Sequence, residues 1–155
     1  MLRHIVRRPV KRQRRGTTAV EFAVCLPIAF FLILATVVGG FGVFRYQQVA
    51  SLAREGARWA SVHGGQYARE TNNPAATAQD IYEQAIQPKA VALRLDRLTY
   101  QVTWDESNEP LTVHEDVQTP TGNTVTVTVS YEWFPEMYIA GPLVLSSTST
   151  CQMMY

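Results

Sequence analysis

The chain has almost none of the residues from which reaction centres are built. Its three histidines, His4, His63 and His114, fall in separate segments and no two stand at metal-ligand spacing. No CxxC pair occurs, so neither a zinc knuckle nor a dithiol redox site is written into the chain. There is no glycine-rich phosphate loop. Cys25 lies in a long apolar run and Cys151 far beyond it, so no bond between them is expected. Neither is placed for nucleophilic work, and each reads as a small apolar residue. Asp105, Glu106 and Glu109 cluster without the spacing of a calcium loop and read as a solvated turn. No enzyme activity, cofactor or metal is expected.

A second absence is more informative. The first sixteen residues hold no acid, but they hold Arg3, Arg7, Arg8, Lys11, Arg12, Arg14 and Arg15. The whole chain has 14 Lys/Arg against 13 Asp/Glu. Without residues 1–16, seven cations remain against thirteen acids, a net of about −6. The near-neutral total therefore hides a basic leader on a mildly acidic remainder, and that remainder is no nucleic-acid binder.

Charge is also missing from residues 22–44, which are apolar throughout and closed by Arg45. As a helix these 23 residues reach about 35 Å, enough to cross a hydrocarbon core of about 30 Å. A cleaved secretory signal has a shorter apolar core and a small-x-small cut site, and neither is present. Arg14-Arg15 lacks the rest of a twin-arginine pattern. The cations before the span and the single Arg45 after it place the N-terminus in the cytoplasm and the downstream chain outside it. One carboxylate, Glu21, stands at the mouth of the span, where an acid is costly unless paired.

Past Arg45 the helix is expected to run to about residue 63. Ala50, Ala53, Ala57 and Ala60 recur at spacings of three and four and form a small-residue stripe, flanked by Val49, Leu52 and Trp59. That stripe suits either sister subunits or the protein's own sheet. Gly64-Gly65 is the expected helix stop. Residues 64–74 read as a loop and 75–86 as a second helix with Ala78, Ile81, Tyr82, Ala85 and Ile86 inward. Residues 98–104 and 124–133 alternate apolar and polar and read as strands, with a third over 143–153. Val113 suggests a short edge piece, and residues 105–110 and 119–123 read as turns. The fold class is α+β: a long N-terminal helix, half transmembrane and half exported, a second short helix and a small antiparallel sheet of about three strands. The organisation is a leader at 1–16, a helix at 17–63 containing the span, and an exported α+β domain at 64–155.

The stretch Arg-Arg-Gly-Thr-Thr-Ala-Val-Glu-Phe-Ala-Val-Cys-Leu-Pro, residues 14–27, resembles the N-terminus of TadE-like minor pilins, or pseudopilins, of the tight-adherence pilus system. Residues 48–60, QVASLAREGARWA, resemble the segment that follows the membrane helix in that family. The resemblance implies cleavage by a prepilin peptidase between Gly16 and Thr17, with Glu21 as the fifth mature residue. Glu21 and Phe22 are implied in peptidase recognition and assembly, and Pro27 in a helix kink. It also implies partners: the membrane, the peptidase, other pilin or pseudopilin subunits and the pilus assembly machinery. The place is the inner membrane, with entry into a pilus left open. The alternative is an unprocessed, membrane-anchored exported binding module, in which Glu21 is only a residue of the helix start.

Overall fold

The computed structural model describes residues 15–105, 108, 123–135 and 141–154, apart from the side chains of Arg15 and Thr17. The leader cations Arg3 to Arg14, the acids Glu106 and Glu109, the edge piece at Val113, His4 and His114, and the turn at 119–122 lie outside the described residues. Two compact units divide the chain, Met1–Val37 and Val38–Tyr155. A single helix, α1 (Arg15–Val62), runs through both.

In the first unit the described residues are all helical, and their large apolar side chains apart from half-buried Leu34 are exposed: Phe22 is 65% exposed and Phe31 67%. The one hydroxyl among the last of these turns is satisfied internally, because Thr36 Oγ1 donates to the Leu32 carbonyl at 2.8 Å. Such back-bonding lets a polar side chain sit in an apolar surround.

The second unit is α+β. After α1 come α2 (Gly65–Thr71) and α3 (Ala78–Ile81). A π turn (Tyr82–Ile86) and 3₁₀ turns at Gln87–Lys89 and Leu95–Arg97 follow. The strands are β1 (Leu98–Trp104), β2 (Thr124–Trp133) and β3 (Leu143–Gln152). They form one antiparallel sheet in the order β1-β2-β3. The two expected strand ranges at 98–104 and 124–133 are reproduced, and α1 ends one residue before the expected stop.

Two expectations are corrected. The segment 64–74 is not all loop, since α2 forms within it. Gly64, extended, precedes α2, and the Gly65 N–H donates to the Asn108 carbonyl at 2.8 Å. That partner is some forty residues downstream and leaves no local signal. Asn72, at φ 56°, closes α2 in the left-handed region that asparagine tolerates. The expected helix at 75–86 starts later, at Ala78, and loses α-helical register. The Gln87 N–H reaches back five residues to the Tyr82 carbonyl. Pro88 follows and has no N–H with which to extend the helix.

The start of α3 is set by a capping box. The Asp80 N–H donates to Thr77 Oγ1, and the Thr77 backbone N–H donates to Asp80 Oδ2 at 2.8 Å. Hydrogen bonds from the Thr77 side chain and then its backbone hold the Asp80 carboxyl below its ordinary pKa.

Alternation on the strands separates two faces. Val125, Val127, Val129, Tyr131 and Trp133 of β2 are buried. They pack with Val49, Leu52, Ala53, Ala57 and Ala60 of α1 and with Ile81 and Ile86. The opposite face is a hydroxyl ladder. Thr126–Thr150, Thr128–Thr148 and Ser130–Ser146 each meet at 2.9 Å across the β2–β3 register. Hydroxyls that bond one another across strands add cross-strand stabilisation on a face left to water.

Candidate functional site

The five residues singled out in the sequence lie on one helix. The Gly16–Thr17 bond lies within α1, close to the first of the described residues. Gly16 is exposed, and nothing would lie within 4 Å of a side chain there. Glu21 is four residues past Thr17, so the two share a helix face one turn apart. Opposite charges at this spacing on a helix lie within reach of each other. Glu21 is the seventh residue of α1 and not in its first turn.

Glu21 and Phe22 are both exposed, as is the free thiol of Cys25 one turn on. The helix continues unbroken through Pro27. From Val20 to Phe31 the apolar side chains stand open on every side of the helix. A helix apolar all round is one that a membrane or partner helices must surround.

The alanine stripe answers to a different surface. Ala53, Ala57 and Ala60 are buried against the chain's own sheet, and Ala50 is half-buried. Gly56 lies in the same stripe, three residues after Ala53, and was not singled out from the sequence. A Cβ placed on it would meet Val127 Cγ1 at 3.1 Å and Ile86 at 3.4 Å. Small residues here let the helix axis approach β2 closely. Gly42 does the same nearer the start of the unit, where a Cβ would sit 2.7 Å from the Trp133 ring. Gly39 and Gly40 touch nothing in this way. Cys151 is half-buried on β3 with its thiol free. Among the described residues no group of histidines, cysteines and acids could hold a metal ion.

These features define a class: a chain with one N-terminal helix long and apolar enough to cross a membrane, followed by a small α+β unit. The model of the TadE-like protein family matches residues 16–58. That segment, which begins at Gly16 and takes in Glu21, Phe22, Pro27 and the alanine stripe to Ala57, is similar to the TadE-like family. The match and the helix together fit a protein related to the Tad pilus. Neither the curated proteins nor the solved structures supply a match.

Proposed function

We propose that this chain is a TadE-like minor pilin or pseudopilin that takes part in assembling a tight-adherence pilus or a related secretion apparatus. A prepilin peptidase cuts it after Gly16. It stays in the cytoplasmic membrane through the apolar part of α1, residues 22–44, with the N-terminus inside and the α+β domain exported. It is the substrate of an enzyme and performs no reaction itself. The observation that carries this reading is the extent of the family match. It starts at the glycine where the cut falls and encloses the carboxylate one turn past the new terminus.

The chemistry of that terminus follows from spacing. Cleavage leaves an α-amine on Thr17 at the edge of the bilayer. In the mature subunit this amine and Glu21 are opposite charges one turn apart, or on adjacent chains in an assembly. A buried ion pair is tolerated where either charge alone is not, since removing one partner leaves the other uncompensated. Glu21 thereby becomes a contact that forms only after processing. Gly16 leaves the backbone open to the peptidase because no side chain crowds the scissile bond.

N-terminal sequencing of the protein from its native membrane, with the peptidase present and with it deleted, tests the reading. The expected result is a chain that starts at Thr17 with the peptidase and at Met1 without it. A start at Met1 in both strains overturns the processing step and leaves the unprocessed anchor as the reading.

A further inference from the structure

The exported unit has an apolar rim at the end where α1 enters it. Gly42 lies under the Trp133 ring, and Arg45 Nη1 donates to the Ala92 carbonyl at 3.3 Å. Around this entry stand four aliphatic side chains outside α1 that the fold leaves in the open. Val91 is 89% exposed and Val144 71%, with Leu95 and Leu143 also exposed. The strand register gathers them. Leu143 is paired with Trp133 and Val144 with Glu132, while Leu98, just after Leu95–Arg97, is paired with Tyr131. Two cations lie among them. Arg94 is exposed beside Asp96, and Arg97 sits over the Phe134 ring at 4.3 Å. Aliphatics with arginines and aromatics at their edge suit the boundary between lipid tails and headgroups.

Chain length brings this rim to that boundary. Counted from Phe22, the first residue after Glu21, residues 22–37 span about 24 Å as a helix, short of a core of about 30 Å. Residues 38–41 complete it. The next residue is Gly42, in contact with Trp133. The edge of the hydrocarbon therefore falls within a turn of the point where the rim begins.

We infer that this rim, formed by Val91, Leu95, Leu143 and Val144 with Arg94 and Arg97, rests in the interfacial zone of the bilayer that α1 crosses. The exported unit is thereby held against the lipid surface in the state before assembly. The inference rests on α1 being a membrane span. It does not depend on which side of the membrane the unit occupies, or on cleavage at Gly16.

The test is site-directed spin labelling of the full chain in lipid vesicles containing anionic headgroups. Val91→Cys and Val144→Cys are made separately with Cys25→Ser and Cys151→Ala. Both positions are exposed, so the labels leave the core intact. Cys25 labelled in an otherwise cysteine-free chain reports on the span. Met154→Cys reports on an exposed apolar residue whose neighbourhood, the Met154 N–H on the Ser61 carbonyl, lies at the other end of α1 in this unit. Accessibility to oxygen and to a water-soluble nickel chelate is read at each label. The expected result is an oxygen-to-nickel ratio several-fold higher at 91 and 144 than at 154, with Cys25 higher still. Equal ratios at 91, 144 and 154, with Cys25 in lipid, overturn the inference alone. A water-exposed label at Cys25 overturns it together with the membrane reading. Labels at 91 and 144 shielded from both probes assign the rim to a protein contact and also overturn it.

Discussion

Helix α1 is apolar along most of its length, yet its two stretches solve different problems. Before Val38 it carries bulky residues such as Phe22, Leu26, Phe30 and Phe31, and all of them are exposed. After Val38 it turns alanine and glycine toward β2, and Ala53, Gly56 and Ala57 are buried. Among the described residues the first stretch has no packing partner, and it is long and apolar enough to cross a membrane. The second has a sheet to approach, and small side chains set how near it comes. Where the second stretch faces β2, size more than apolarity distinguishes it from the first. A large side chain fills an environment that yields, as lipid does, whereas a packed interior does not yield.

The comparison breaks most sharply on a single truncation. Ile86→Ala removes a fully buried side chain between α1 and the sheet. It is expected to lower the stability of the second unit by about 2–5 kcal/mol. Ile33→Ala removes an equally apolar but exposed group and should leave that unit's unfolding unchanged. Urea unfolding in mild detergent, followed by near-ultraviolet circular dichroism, measures both. Equal losses would mean that the exposed stretch also packs on something within the chain.

Glycine substitutions probe the approach of α1 to β2. Gly56→Leu drives a side chain into Val127 and Ile86 and should cost about 1–3 kcal/mol through overpacking. Gly39→Leu enters open space and should be neutral or slightly stabilising, since glycine is a poor helix former. The same unfolding measurement ranks them, and a neutral Gly56→Leu would refute close packing at that point.

A smaller effect is expected at the start of α3. Thr77→Ala deletes a cap that accepts from the Asp80 N–H, a loss of about 1 kcal/mol. Its partner makes the cap pH-dependent. The Asp80 carboxyl is lowered from the ordinary value of 3.8. Its contribution is therefore fully present above that value and disappears as the pH falls through the lowered folded one. In wild type, but not in Asp80→Asn, part of the acid-induced loss of stability below pH 3.8 should trace to this group. Identical acid-unfolding curves would remove the box from the account.

The smallest effect on folding is expected at Glu21, in the stretch that has no fold to lose. Glu21→Gln keeps the shape and removes the charge. Insertion and unfolding should be unchanged and cleavage largely retained, while recovery of partner pilins from membranes is lost. Glu21→Asp should be intermediate, because the charge remains on a shorter arm. A pull-down and a cleavage assay on the same samples decide it. Undiminished recovery with glutamine would make Glu21 only a residue of the helix start.

Much of this protein is determined by local sequence. The alternation in LTYQVTW and TVTVTVSYEW places strands at Leu98–Trp104 and Thr124–Trp133, since a period of two puts one face inward whatever lies opposite. The uncharged run from Phe22, the basic leader and the lone Glu21 likewise need no fold to be read, because burial in lipid depends on composition and length. Other features are decided only by tertiary contacts. At the start of α2 the Gly65 N–H donates to the Asn108 carbonyl, a partner far along the chain. The alanine stripe suits a sister subunit as well as a sheet until β2 is seen against it. Gly42 and Gly56 look alike to the sequence as Gly39 and Gly40 do, and only the approach of Trp133 and Val127 separates them. The reason is the same in each case: periodicity and charge act over a few residues, whereas the place of a small residue is set by what the rest of the chain brings within 4 Å of it.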